Sequence, residues 1–246
     1  MAQIIAQEIV VDFPIYGAKS RSLKNAFMRT ATGGLLARDQ SDRIIVRALD
    51  QCTFEMAPGD RVGVLGHNGS GKTTLLRVLA GVYEPSAGAI SISGRVAAML
   101  NISLGMDMEA TGIENIYIRG AIMGMKPQEI DGLMDEICTF SELGDYLYMP
   151  VRTYSSGMAM RLAFAVSTSV SADIVLMDEW LSVGDASFAK KAQDRLNRLI
   201  EQAKILVIAT HDESLVRNNC NRVLRLDHGR LVAAETLNAR DAALSP

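Results

Sequence analysis

The sequence has little of several features that would each point to a particular class of protein. Cysteine occurs three times, at Cys52, Cys138 and Cys220, without a C-x-x-C pair. We therefore expect neither a disulfide nor a zinc site. We expect the three thiols to be buried, in a protein of the reducing cytoplasm. No run approaches the roughly 18 uninterrupted apolar residues of a membrane span. The opening residues MAQIIAQEIVVDF lack a basic region followed by an apolar core, so we expect no secretory signal there.

A general excess of basic residues is also missing. The chain has 25 Lys and Arg against 28 Asp and Glu, a formal net charge of −3. DNA or RNA is therefore not expected as a partner. The local exception is the basic segment 17–43, where six Lys and Arg minus two Asp give +4. Such a segment is most often a solvated loop, and the alternative is that it faces a membrane or a membrane protein.

The 246 residues do contain an alternation of strand and helix patterns. Apolar residues make up 48%, which is ordinary for a globular protein with a sizeable core. Strand-like runs lie at 4–13, 44–56, 61–66, 88–100, 174–180 and 205–211, and a hairpin is predicted at 222–235 with its turn at Asp227–Arg230. Helical stripes dominate from about 111 to 170. This order predicts one α/β domain over 1–246, with a mainly parallel core at about 1–98 and 172–246 and an inserted helical subdomain at about 99–171.

The stretch GHNGSGKTT at 66–74 fits the pattern G-x-x-x-x-G-K-[ST], directly after a predicted strand and before a predicted helix. Glycines let such a loop curl so that its N–H groups point at phosphates, and the helix N-terminus adds positive potential. We expect Lys72 to reach the β- and γ-phosphates of a bound nucleotide and the Thr73 hydroxyl to bind Mg²⁺. A simple glycine-rich turn is the less favoured alternative. The residues expected around the nucleotide are Gly66, His67, Asn68, Gly69, Ser70, Gly71, Lys72, Thr73 and Thr74.

Two carboxylates end the apolar strand IVLMDEW, and one histidine ends the strand ILVIATHD. Alone, each would most often be a solvated strand end. Beside a phosphate loop, Asp178 is expected to hold Mg²⁺ and Glu179 to act as the general base toward the attacking water. A parallel core would place His211 beside them, within reach of a γ-phosphate. His228 is expected to be a turn residue, and His67 to occupy a permissive loop position.

The stretch TYSSGMAMRLAFA at 153–165 adds a second Ser–Gly helix start. A chain with one phosphate loop has use for a second such device if the nucleotide is clamped between two subunits. The order of these motifs, with SVGD at 182–185, resembles the nucleotide-binding subunit of ABC transporters over about residues 4–235. That family's signature is usually Leu-Ser-Gly-Gly-Gln. Here Ser155 and Gly157 keep the family's residue types, whereas Ser156 and Met158 depart from them.

The resemblance implies a P-loop NTPase of the RecA-like type, with an antiparallel β portion beside the parallel core. It implies ATP and Mg²⁺ as cofactors and a head-to-tail homodimer, in which the signature Ser155, Ser156, Gly157 and Met158 covers the ATP of the opposite subunit. Asp185 matches the D-loop. The family's glutamine ligand of Mg²⁺ is missing, and Asn101 stands nearest its place. The adenine-stacking aromatic is expected at Phe13 or, second, at Tyr16, and ordinary packing of both is an equal alternative.

Three stretches, YSSGM…RLAFA, DEWLSVGDASF and LGMDMEATGIENI, resemble one branch of the family together with the basic SLKN segment. That branch exports undecaprenyl-linked polysaccharides, as Wzt-type O-antigen and teichoic acid exporters do. It implies a separate polytopic permease in two copies, a lipid-linked O-antigen, capsule or teichoic acid as cargo, no nucleic acid partner, and a peripheral position on the cytoplasmic face of the plasma membrane. The alternatives are an ABC ATPase subunit for another substrate and a non-transport ABC ATPase.

Overall fold

A computed structural model describes residues 2–15, 35–38, 44–100, 105–179 and 186–237. Contacts within it divide the chain into two compact units. The first unit comprises Met1–Gly94, Leu176–Trp180 and Lys204–Pro246, and the second comprises Arg95–Val175 and Leu181–Ala203. Besides the predicted helical insert, the second unit therefore takes in residues 181–203. Tyr16, Asn101, Asp185 and most of the basic segment lie outside the described residues.

The described residues form ten strands and six α-helices. The strands are β1 (Gln3–Pro14), β2 (Leu35–Arg38), β3 (Ile44–Met56), β4 (Arg61–Leu65), β5 (Ala87–Ser93), β6 (Val96–Met99), β7 (Ile174–Asp178), β8 (Ile205–Thr210), β9 (Arg222–Asp227) and β10 (Arg230–Thr236). The helices are α1 (Lys72–Leu79), α2 (Gly112–Ile122), α3 (Pro127–Ser141), α4 (Ser156–Ser167), α5 (Ala186–Gln202) and α6 (Glu213–Asn219), with 3₁₀ turns at Gly144–Tyr148 and Val151–Thr153. None of these helices is both long and apolar enough to cross a bilayer.

The first unit contains two sheets. One has the order β2-β3-β1-β5, with antiparallel pairing throughout. The other has the order β10-β9-β4-β8-β7, in which β4 lies parallel to β8 and β9 while β10 closes an antiparallel hairpin with β9. Burial of β8 along its whole length explains its unbroken apolar run, which is typical of a parallel strand covered on both faces. The predicted α/β fold with a parallel core and an antiparallel portion is confirmed.

The second unit is largely helical, as the apolar spacing predicts. Helix α2 begins with a capping box, in which Thr111 and Glu114 satisfy each other's backbone N–H groups. Pro127 stands at the first position of α3, where its fixed φ suits a helix start. The rings of Phe140, Phe164 and Phe188 lie within 6.3 Å of one another and build the aromatic centre of this unit.

Candidate functional site

The glycine-rich loop joins β4 to α1, as the sequence predicts. Gly71 directly precedes α1 with a φ of 108°, and Gly69 has a φ of 82°. Both angles lie in the left-handed region that only glycine adopts freely. A Cβ atom on Gly71 would also lie 2.7 Å from the Ala48 carbonyl oxygen. Both the backbone angle and the lack of space for a Cβ atom therefore require glycine at position 71.

Lys72 is the cation of this loop. Its Nζ donates to the carbonyl oxygens of Gly66 at 2.6 Å and His67 at 3.1 Å. Partial burial lowers the pKa of Lys72, and the charges of Asp178 and Glu179 oppose that shift. The Ser70 hydroxyl is fully buried and has no hydrogen-bond partner among the described residues. Within the described residues, the ammonium is held by carbonyls alone and the hydroxyl is unsatisfied, and both features fit a loop that receives phosphate oxygens.

Thr73 and Asp178 come together although 105 residues separate them. The Thr73 Oγ1 in the first turn of α1 donates to Asp178 Oδ2 at the end of β7, over 2.9 Å. A hydroxyl and a carboxylate are the hard oxygen ligands that Mg²⁺ prefers. This donor set fits the magnesium ion that the sequence predicts here.

Glu179 leaves the end of β7 in a strained conformation. Its φ is 66°, and its backbone N–H donates to the Ala209 carbonyl on β8 at 2.8 Å. A left-handed backbone at a residue other than glycine costs roughly 1 kcal/mol or more and is found preferentially at functional sites. The turn leaves the Glu179 carboxylate 62% exposed, with its Oε1 3.1 Å from Nδ1 of His211. The structure thus brings together the predicted base and the predicted histidine.

Phe13 lies near the end of β1 and is 36% exposed. Its ring meets Tyr83 edge-on at 5.3 Å, and the Tyr83 hydroxyl accepts a hydrogen bond from Arg77. The sequence analysis missed Tyr83, because no local pattern links residues 70 positions apart. An adenine contact by Phe13 stays a prediction, and Tyr16 lies outside the described residues.

In the second unit, the Ser–Gly stretch forms the start of α4. Ser155 caps the helix, since its side chain accepts from the Met158 N–H at 3.2 Å. Ser155 and Ser156 are exposed. A Cβ atom on Gly157 would meet nothing closer than Ser155 Oγ at 3.8 Å. The described part of the chain therefore gives no reason for a glycine at this position.

A cluster that the sequence analysis missed lies beside the phosphate loop. Nε2 of His67 and Nδ1 of His228 lie 3.0 and 2.8 Å from the same carboxylate oxygen of Asp227. The hairpin turn predicted for His228 is confirmed by the pairing of Asp227 with Arg230. No local sequence pattern predicts that this turn lies beside His67, because the loop and the turn are 160 residues apart.

Comparisons with known proteins agree with this geometry. The family model for the ABC transporter matches residues 49–182. The chain is 44% identical over 238 residues to the O-antigen export system ATP-binding protein RfbE of Yersinia enterocolitica, covering 97% of this chain and 99% of that protein. It is 38% identical over 225 residues to the teichoic acids export ATP-binding protein TagH of Bacillus anthracis, covering 92% and 39%.

Among solved structures, the fold is similar to a dimeric post-hydrolysis state of the ATP-binding cassette MJ0796 bound to ADP and Pi. The TM-score is 0.67 at 18% identity, over 96% of this chain and 99% of that one. This likeness concerns the fold. The family model, the near-complete match to an export ATPase, the phosphate loop and the strand-end carboxylates lead to one conclusion: the chain belongs to the ABC transporter family and is an ATPase.

Proposed function

We propose that the chain is the ATP-hydrolysing subunit of an ABC exporter that moves a lipid-linked polysaccharide across the cytoplasmic membrane. The observation that carries the cargo class is the 44% identity to an O-antigen export ATPase over nearly the whole of both chains. The teichoic acid relative points to the same class, although the chain spans 39% of that protein's length.

The site residues of the first unit each have a distinct role in this proposal. Lys72 and the loop N–H groups bind the phosphates of ATP, because the positive ammonium and the N–H dipoles attract the negative phosphate oxygens. Thr73 and Asp178 hold Mg²⁺, which when bound supplies charge neutralisation for phosphoryl transfer. Glu179 orients and deprotonates the attacking water. His211, hydrogen-bonded to Glu179, positions that carboxylate toward the γ-phosphate.

The start of α4 is proposed to act on the nucleotide of a second subunit. Ser155 and Ser156 are exposed, and a Cβ atom on Gly157 would find open space. Nothing in the described part of its own chain requires glycine at position 157. The absence of a side chain there leaves room for a group of a second subunit. The similar cassette MJ0796 is itself described as dimeric. We therefore place the signature of one copy over the ATP bound to the other.

Apolar side chains on the second unit are proposed to meet a separate membrane permease. Of the nine large apolar side chains that are exposed in the described residues, six belong to this unit. They are Met108, Tyr117, Ile122, Tyr146, Tyr148 and Met149. Exposed aromatic and Met side chains are typical of interface residues. Such docking would hold the ATPase at the cytoplasmic face of the membrane.

The test compares two glutamates in cells that carry each variant in place of the native chain. Glu179→Gln should abolish the surface polymer, and lipid-linked polymer should accumulate inside. Glu8→Gln is the matched control, because Glu8 is also an exposed glutamate with a left-handed backbone, at φ 48°, and it should export normally. Normal surface polymer in the Glu179→Gln cells would contradict the cargo class. Loss of ATP turnover in that same variant would still support the ATPase assignment.

A further inference from the structure

The cluster of His67, Asp227 and His228 has a geometry close to that of a metal site. One ligand atom from each residue lies within 4.8 Å of the other two. Tetrahedral Zn²⁺ with bonds of about 2.0–2.1 Å separates its ligand atoms by about 3.3 Å. The present nitrogen–oxygen distances of 3.0 and 2.8 Å would need to open by only a few tenths of an ångström. About half of each side chain is exposed, so water can complete the coordination.

The hydrogen-bonding pattern of His67 supports a cation at this place. Its Nδ1 lies 2.8 Å from the Asn68 carbonyl oxygen, and its Nε2 lies 3.0 Å from the Asp227 carboxylate. Both neighbours can only accept hydrogen bonds, whereas a neutral imidazole has a single N–H to donate. With that hydrogen on Nδ1, the Nε2 lone pair faces a carboxylate oxygen. A metal ion placed between these two atoms would replace a contact between two acceptors by two ligand bonds.

The turn that carries His228, directly after Asp227, is held in place by hydrogen bonds to neighbouring segments. His228 and Gly229 have φ angles of 46° and 79°, which form the tight two-residue turn between β9 and β10. The Gly229 N–H donates to the Ser70 carbonyl of the phosphate loop at 2.9 Å, and its carbonyl accepts from Asp50 at 2.8 Å. Two hydrogen bonds thus hold the turn against its surroundings, as a preorganised site requires.

From this geometry we propose that His67, Asp227 and His228 form a binding site for a borderline divalent transition-metal ion such as Zn²⁺. Imidazole nitrogen and carboxylate oxygen are ligands of that class of ion. An ion bound there ties the phosphate loop to the hairpin turn. The Lys72 ammonium, which donates to the His67 carbonyl, places a positive charge nearby and moderates the affinity.

The test is a calorimetric titration of the full chain with Zn²⁺ alone, at neutral pH and without nucleotide, because ATP chelates metal ions. Wild type should bind one equivalent. His228→Asn should bind at least about tenfold more weakly, because one ligand is lost. Asparagine tolerates a left-handed backbone, so the turn is retained. Asp227→Asn should weaken binding similarly, and far-UV circular dichroism with a thermal melt confirms that each variant is folded.

The chain supplies a matched control, because His211 is its third and last histidine. His211→Asn should bind Zn²⁺ as wild type does. Cysteine competition is small, since burial raises the pKa of Cys52 and Cys138 and raises that of Cys220 to about 12. In proton NMR, Zn²⁺ should shift the imidazole signals of His67 and His228 and leave that of His211 in place. Absence of zinc binding by wild type, or equal affinity in His228→Asn, would overturn the proposal.

Discussion

Both units of this ATPase have serine and glycine at the start of a helix, but the structure requires the glycine in only one of them. In the first unit, the φ of Gly71 and the Ala48 carbonyl leave no room for a side chain. In the second unit, Gly157 has an open surrounding at the start of α4. A glycine that its own chain requires says little about ligands. A glycine that its chain does not require is better evidence that something approaches from outside.

The largest expected effect concerns the first unit. Glu179→Gln removes the proposed general base but keeps the size of the side chain, so ATP hydrolysis should slow by at least roughly a hundredfold. Binding of MgATP should persist because Lys72, Thr73 and Asp178 are untouched, and the variant should accumulate as an ATP-dependent dimer in size-exclusion chromatography. Glu8→Gln is again the control. Near-normal turnover of Glu179→Gln would show that this carboxylate is not the base.

The next effect concerns binding rather than chemistry. Lys72→Ala removes the charged donor from the loop, and such hydrogen bonds are worth roughly 1.5–3 kcal/mol. The affinity for a fluorescent ATP analogue should therefore fall by about tenfold or more. The isolated variant should also stay monomeric with MgATP. Unchanged affinity would remove Lys72 from the phosphate site.

A pair of glycine substitutions in the second unit tests the comparison directly. Gly157→Ala should leave the melting temperature unchanged or raise it slightly, because its Cβ meets no atom closer than 3.8 Å and alanine favours the helix. It should lower ATP turnover by roughly tenfold, because small displacements of catalytic contacts are costly. Gly112→Ala is the opposite case, since its Cβ would lie 2.3 Å from the Tyr154 hydroxyl. That overpacking should cost about 1–3 kcal/mol of stability, measured by thermal denaturation.

If Gly157→Ala destabilised the chain as much as Gly112→Ala, the contrast between required and unrequired glycines would fail. If it left both stability and turnover unchanged, the start of α4 would have no role at the nucleotide.

The smallest expected effect concerns the basic segment 17–43, most of which lies outside the described residues. Reversing the charges of Arg21, Lys24 and Arg29 should reduce export several-fold if the segment faces the permease or the membrane. ATP hydrolysis by the isolated chain should stay unchanged. Polymer export and ATPase activity are measured in parallel. Unchanged export would favour the solvated loop.

Much of the site could be predicted from the sequence because its parts are local. The phosphate loop lies within nine consecutive residues, and Asp178, Glu179 and His211 each end an apolar strand. Neighbouring strand ends in a parallel sheet lie on one edge, so their meeting followed from the strand pattern. The contacts between Phe13 and Tyr83 and between His67 and His228 could not be predicted. Each depends on the pairing of distant segments, for which a single sequence gives no local period.

The strained backbone of Glu179 sets the stability of the fold against the catalytic role proposed for this residue. At a φ of 66°, glycine would avoid a backbone strain energy of about 1 kcal/mol. That energy corresponds to roughly a fivefold change in the ratio of folded to unfolded molecules. A chain selected only for durability would therefore carry glycine after Asp178. If Glu179 is the base, thermal stability and ATP turnover make opposite demands on this position, and a glycine introduced there for heat resistance would remove the catalytic carboxylate.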